Sequence, residues 1–151
     1  MVGTSPAQLV VKPYSGAPLG VNDLVLDKQD KNIYAVTDGD PMVIKIPIKD
    51  DGTAGEPVAL PSGYSPLDGI ELDGKGNIYI SEILLNQIWV LSPDGSQRIL
   101  IATKENAPLD NNTSLVLRGD VLCTANLGFV HATPEEADRT VVCMKGFALP
   151  K

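Results

Sequence analysis

Residues 20–38, GVNDLVLDKQDKNIYAVTD, and residues 66–82, PLDGIELDGKGNIYISE, are two copies of one pattern. Leu26-Asp27 recurs as Leu72-Asp73 after 46 residues, and Asn32-Ile33-Tyr34 recurs as Asn77-Ile78-Tyr79 after 45. A fainter third copy, NTSLVLRGDVLCTAN, occupies residues 112–126. Each copy joins two short apolar-alternating runs through a polar tip. A repeat of this length made of short strands is the mark of a β-propeller blade. Such a repeat aims the equivalent positions of every copy at one central axis.

Alternation, β-branched content and flanking turn residues predict the remaining strands. The first cycle reads 21–27, 31–37, 42–48 and a weak run near 57–60. The second reads 69–73, 77–81, 87–92 and 97–102, with Pro93-Asp94-Gly95 as its last turn. The third reads 114–118, 121–125 and 140–145. No segment holds a helical stripe, although residues 134–138 suit one turn capped by Thr133. The expectation is an all-β chain, one β-propeller-like domain over 1–151. Its blades cover about 19–62, 66–104 and 109–148. An isolated run at 8–12 would complete a blade, giving three four-stranded blades.

Propellers typically close with four to eight blades. Three blades therefore imply half of a longer protein, or two chains assembling a six-bladed ring with each 8–12 strand completing the partner's third blade. The 14 glycines and 12 prolines fall between apolar runs, as tight turns require. A net charge of −7 argues against nucleic acid or an anionic membrane as partner. No stretch approaches the length of an apolar membrane span. The start lacks a basic and apolar leader, so the chain as written reads as cytoplasmic, or as secreted if trimmed from a longer precursor. Cys123 and Cys143 fall on neighbouring strands; a bridge needs facing side chains, and two buried thiols are the expectation. No G-x-S-x-G elbow, phosphate-binding glycine loop, H-E-x-x-H or C-x-x-C occurs, which disfavours serine-hydrolase, nucleotide-dependent and zinc-protease chemistry.

Four segments carry a family resemblance: IPIKDDGTAGEPV (46–58), SPLDGIELDGKGNIYIS (65–81), WVLSPDG (89–95) and LDNNTSLVLRGDVLCTAN (109–126). The ending GFALP (146–150) adds to them. The chain resembles the C-terminal half of the gluconolactonase, senescence-marker-protein and luciferin-regenerating family of six-bladed propellers. The resemblance implies a divalent cation on the axis, held by a glutamate, an asparagine and an aspartate. Asn22 in GVNDL matches the asparagine and Asp68 in PLDGI the aspartate. The glutamate and a substrate-contacting asparagine have no counterpart here.

Oxygen-only ligands suit calcium best, with magnesium, zinc or manganese as alternatives. The implied activity is metal-dependent hydrolysis of a lactone or related small ester. Asp68 would be ligand and general base, and Asn22 a pure ligand. Strand direction places Asp38, Glu82 and Asn126, at the ends of the second strands, and Thr113 near the same mouth as substrate-binding candidates. Asp27 and Asp73 read as turn formers, Trp89 as core, and the lone histidine, His131, as a solvated loop residue. Ile83-Leu84-Leu85 is either an exposed contact or blade packing. The alternative function is a non-catalytic propeller binding or assembly module that lost the complete metal site.

Overall fold

The computed structural model describes residues 20–38, 43–60, 65–129 and 139–150. They form three antiparallel sheets in chain order. Blade 1 is β1 (Val21–Leu26), β2 (Asn32–Thr37), β3 (Val43–Pro47) and β4 (Val58–Ala59). Blade 2 is β5 (Leu67–Leu72), β6 (Ile78–Glu82), β7 (Gln87–Leu91) and β8 (Arg98–Thr103). Blade 3 is β9 (Asn112–Arg118), β10 (Val121–Asn126) and β11 (Val141–Lys145). Each sheet runs as a meander, every strand paired with its chain neighbour, and no helix occurs among the described residues. The expected strand at 8–12, the helical turn at 134–138 and His131 lie outside them.

The innermost strands β1, β5 and β9 touch in succession, so the blades fan around their shared edge. Alternation gives each blade two apolar faces, and successive blades bury them against each other. Tyr34, Val36 and Val43 of blade 1 meet Leu67, Ile70, Ile78, Ile80 and Leu91 of blade 2 in one core. Tyr79, Ile88 and Val90 on the other side of blade 2 meet Leu115, Leu122 and Val142 of blade 3 in a second. Blade 2 is therefore packed on both faces. Trp89 packs against the first core, as its alternating strand predicts.

The repeated aspartates make the blades' hairpins. Asp27 accepts the backbone N–H groups of Lys31 and Asn32 and the Asn32 amide. Asp73 does the same with Lys75, Asn77 and the Asn77 amide. Both are turn formers, as their position in the repeat predicts.

The cysteines correct the expectation. Cys123 and Cys143 are bonded as a disulfide, and Cys143 is exposed rather than buried. They stand directly opposite one another in the β10–β11 register. Their Cα atoms lie 4.0 Å apart. Direct opposition on neighbouring strands puts the two side chains on the same side of the sheet, as a bridge needs.

Candidate functional site

One irregularity recurs at the start of all three innermost strands. In β1 the pairing steps from Val21↔Thr37 to Asp23↔Val36, leaving Asn22 as the extra residue. In β5 it steps from Leu67↔Glu82 to Ile70↔Ile80, so Asp68 and Gly69 together oppose Ser81. In β9 Thr113 and Ser114 oppose Ala125 in the same way. Asn22, Asp68 and Thr113 are thus equivalent, each at a β-bulge. A bulge re-aims a side chain out of the alternating pattern, and bulges concentrate beside active sites.

Asn22 reaches across to blade 2, where its amide donates to the Leu67 carbonyl at 3.3 Å. The same amide favours the charged form of the Asp68 carboxyl. Burial pushes the Asp68 carboxyl above its ordinary value; the Asn22 amide opposes that rise, and the charges of Asp23 and Asp38 add to it. Asp68 is half-buried. Asp38 is also half-buried, and its Oδ1 has no hydrogen-bond partner among the described residues. Asn22, Asp68 and Asp38 are therefore brought together.

The other candidates are placed differently. Thr113 Oγ1 donates to the Ala125 carbonyl at 3.2 Å, within its own blade. Glu82 is 2% exposed, and its two oxygens accept the Ser65 N–H at 2.6 Å and the Trp89 indole N–H at 2.8 Å. Asn126 accepts the Asp110 N–H and donates to the Pro108 carbonyl and the Thr140 hydroxyl. Glu82 and Asn126 thus hold the loops that lead into β5 and β9. The register also separates Asp38 from this pair: Thr37 is the residue equivalent to Glu82 and Asn126, and Asp38 stands one position further on. Leu84 and Leu85 are exposed.

Two residues beside the site were not singled out from the sequence. Asp23 Oδ2 accepts the Ile70 N–H at 3.2 Å, tying blade 1 to blade 2. Ser81 is fully buried; it accepts the Gly69 N–H and donates to the Thr113 carbonyl, each at 2.7 Å. Gly69 is required here, because a Cβ would meet the Thr113 carbonyl oxygen at 2.5 Å. The legible signal was the D-G pair after a break in alternation, which marks a bulge with close backbone approach.

A hard cation takes oxygen ligands. The Asn22 amide oxygen, the Asp68 carboxylate and the unpartnered Asp38 oxygen have that chemistry. The described residues contain no group of three acidic, histidine or cysteine side chains able to hold an ion, so the donor set fits in kind but not in number. Two concavities among the described residues, of about 180 and 400 Å3, lie away from these side chains. They run between hairpin tips, around Asp27, Asp73 and Gly74 and around Lys75, Gly119 and Phe147 respectively.

The three meanders around a shared inner edge define part of a β-propeller. No family model matches the sequence, and no curated protein matches it. Among solved structures the chain is similar to a luciferin-regenerating enzyme, with a TM-score of 0.62 and 17% identity. The likeness covers 82% of this chain and 43% of that one. At that identity it establishes the propeller fold, and the chain spans less than half the length of that structure.

Proposed function

We propose that the chain carries part of the site of a metal-dependent hydrolase acting on a lactone or a related small ester. One observation carries this reading: Asn22 and Asp68 occupy the same bulge in successive inner strands, and the Asn22 amide reaches across to the Leu67 carbonyl beside Asp68 at 3.3 Å. A fold shared with a luciferin-regenerating enzyme is in keeping with it. Asn22 and Asp68 would hold a divalent cation, calcium foremost, with Asp38 close by.

When bound, the cation supplies Lewis acidity toward an ester carbonyl. Asp68 supplies the base. In the metal-free chain burial and the two nearby acids raise this carboxyl, and a cation held beside it would offset that rise by favouring the charged form that accepts a proton from water. Asn22 donates to the carbonyl of Leu67, the residue before Asp68, and so ties the two bulges together.

The test pairs binding with turnover. Calcium titration should give saturable binding in the native chain and none in Asp68→Ala, and hydrolysis of a simple aliphatic lactone should stop on chelation. Hydrolysis that survives both treatments would sink the proposal.

A specific observation supports a second reading, a non-catalytic binding or assembly module. Glu82 and Asn126 are committed to structural hydrogen bonds, which leaves few polar groups at this mouth for a substrate. Calcium binding without any lactone turnover would favour it.

A further inference from the structure

Every blade presents a rear face to the blade before it and a forward face to the blade after it. The rear face of blade 2 includes Ile70, Leu72, Ile78, Ile80, Trp89 and Leu91, all in the core shared with blade 1. The register gives the equivalent residues of blade 1 as Leu24, Leu26, Ile33, Ala35, Ile44 and Ile46. All six are apolar and no described blade stands behind them; Ala35, Ile44 and Ile46 are buried, the two isoleucines in a small cluster with Ile33 and Ala54, and the uncovered part of the face is Leu24 and Leu26. Leu24 is 61% exposed, while Ile70, its equivalent in blade 2, is 3% exposed.

Blade 3 shows the opposite deficiency. Its forward face carries Val116, Ala125, Val141 and the Cys123–Cys143 disulfide. The disulfide occupies the row that Tyr34 and Tyr79 hold in blades 1 and 2, where both rings are buried against the next blade. Val116 is 56% and Val141 70% exposed. The chain thus has one unmatched rear face and one unmatched forward face.

We infer that these two faces are the two halves of an interface with a second copy of this chain. The inference rests on continuity with the interfaces already present. Both seams inside the chain join a forward face to a rear face, and the same junction between copies would continue the pattern without a new kind of contact. Equal rotation at each seam lets two copies close a ring and leaves no face exposed. Closure also bears on the site: the second copy brings its own Asn22, Asp68 and Thr113 to the same axis, supplying donors that one chain lacks. The assembly does not depend on the hydrolase reading, and its test measures mass alone.

Light scattering behind gel filtration should give the 151-residue chain twice its 16.0 kDa mass. Leu24→Asp damages the rear face and Val141→Asp the forward face, so each variant alone should run as a folded monomer by circular dichroism. Mixing the two should restore a dimer, because the forward face of the Leu24→Asp chain and the rear face of the Val141→Asp chain are both intact. Leu84→Asp, exposed but on neither face, should remain dimeric. A folded wild-type monomer, an open-ended polymer, or a Val141→Asp variant that dimerises as well as the wild type would each overturn the inference.

Discussion

The two ends of the inner hairpins behave in opposite ways. At the tip end, blades 1 and 2 use the same residues in the same way. Asp27 with Asn32, and Asp73 with Asn77, close the turn by matching hydrogen bonds. At the bulge end the equivalent residues are Asn22, Asp68 and Thr113, three different side chains on one backbone irregularity. Recurring side chains mark what each blade needs in order to fold. Side chains that differ at a recurring backbone position mark where blades are free to specialise. The polar cluster around Asp68 lies at the second kind of place.

Several changes would break or sharpen this contrast, and the two largest effects belong to Gly69 and the disulfide. A Cβ there meets backbone of the neighbouring blade, which cannot swing aside as a side chain could. Gly69→Ala should cost about 3 kcal/mol in urea denaturation, the upper range for overpacking. Ser114→Ala, at the equivalent and exposed position of blade 3, should cost nothing measurable. Removing the disulfide by Cys123→Ser with Cys143→Ser is comparable. The closed segment has a sequence separation of 20. Its loss should cost about 3 kcal/mol or slightly more by the loop-closure argument, read as a lower melting temperature.

Asp73→Ala tests the tip end directly. It should cost about 1–2 kcal/mol by unpairing the turn's N–H groups while leaving calcium affinity unchanged. It should also bring the Tyr79 phenol down from about 12 in a spectroscopic titration, although burial, the larger cause, keeps it above its ordinary value. Altered calcium affinity in this variant would erase the distinction between the two ends.

Asp68→Asn has the smallest effect and the opposite sign. The folded-state pKa of Asp68 is raised, so its contribution to stability is fully present below the ordinary carboxylate value of 3.8 and is lost as pH rises through the folded value. At neutral pH the carboxylate therefore destabilises the fold. The asparagine variant should melt slightly higher, by on the order of 1 kcal/mol or less, with the advantage fading as pH falls toward 3.8. It should bind calcium poorly. Loss of both stability and binding would mean that Asp68 is structural.

Most of the fold was legible because period-2 alternation and the repeated aspartate ahead of Asn-Ile-Tyr (Asp27 before Asn32, Asp73 before Asn77) act locally: they set strands and turns before any blade meets another. The bulges were less visible. The repeat shifts from 46 to 45 residues between Leu26-Asp27 and Asn32-Ile33-Tyr34, but that one-residue slip lies in the hairpin tips rather than at the strand starts. The placement of Asp38 beside Asp68, and of Glu82 under Ser65 and Trp89, depends on which way loops turn after a strand ends. Alternation carries no information there. The disulfide was missed for a related reason: adjacency of strands was readable, but exact register was not.

Ser81 has a consequence beyond its own blade. Its buried hydroxyl sits on β6, accepts the N–H of Gly69 in β5 and donates to the carbonyl of Thr113 in β9. It works as a dowel through two plates. The distance between the Asp68 and Thr113 positions is therefore fixed by main-chain groups and one small hydroxyl, not by the loops around the mouth. Those loops can change in length and sequence while the alignment beneath them stays as it was.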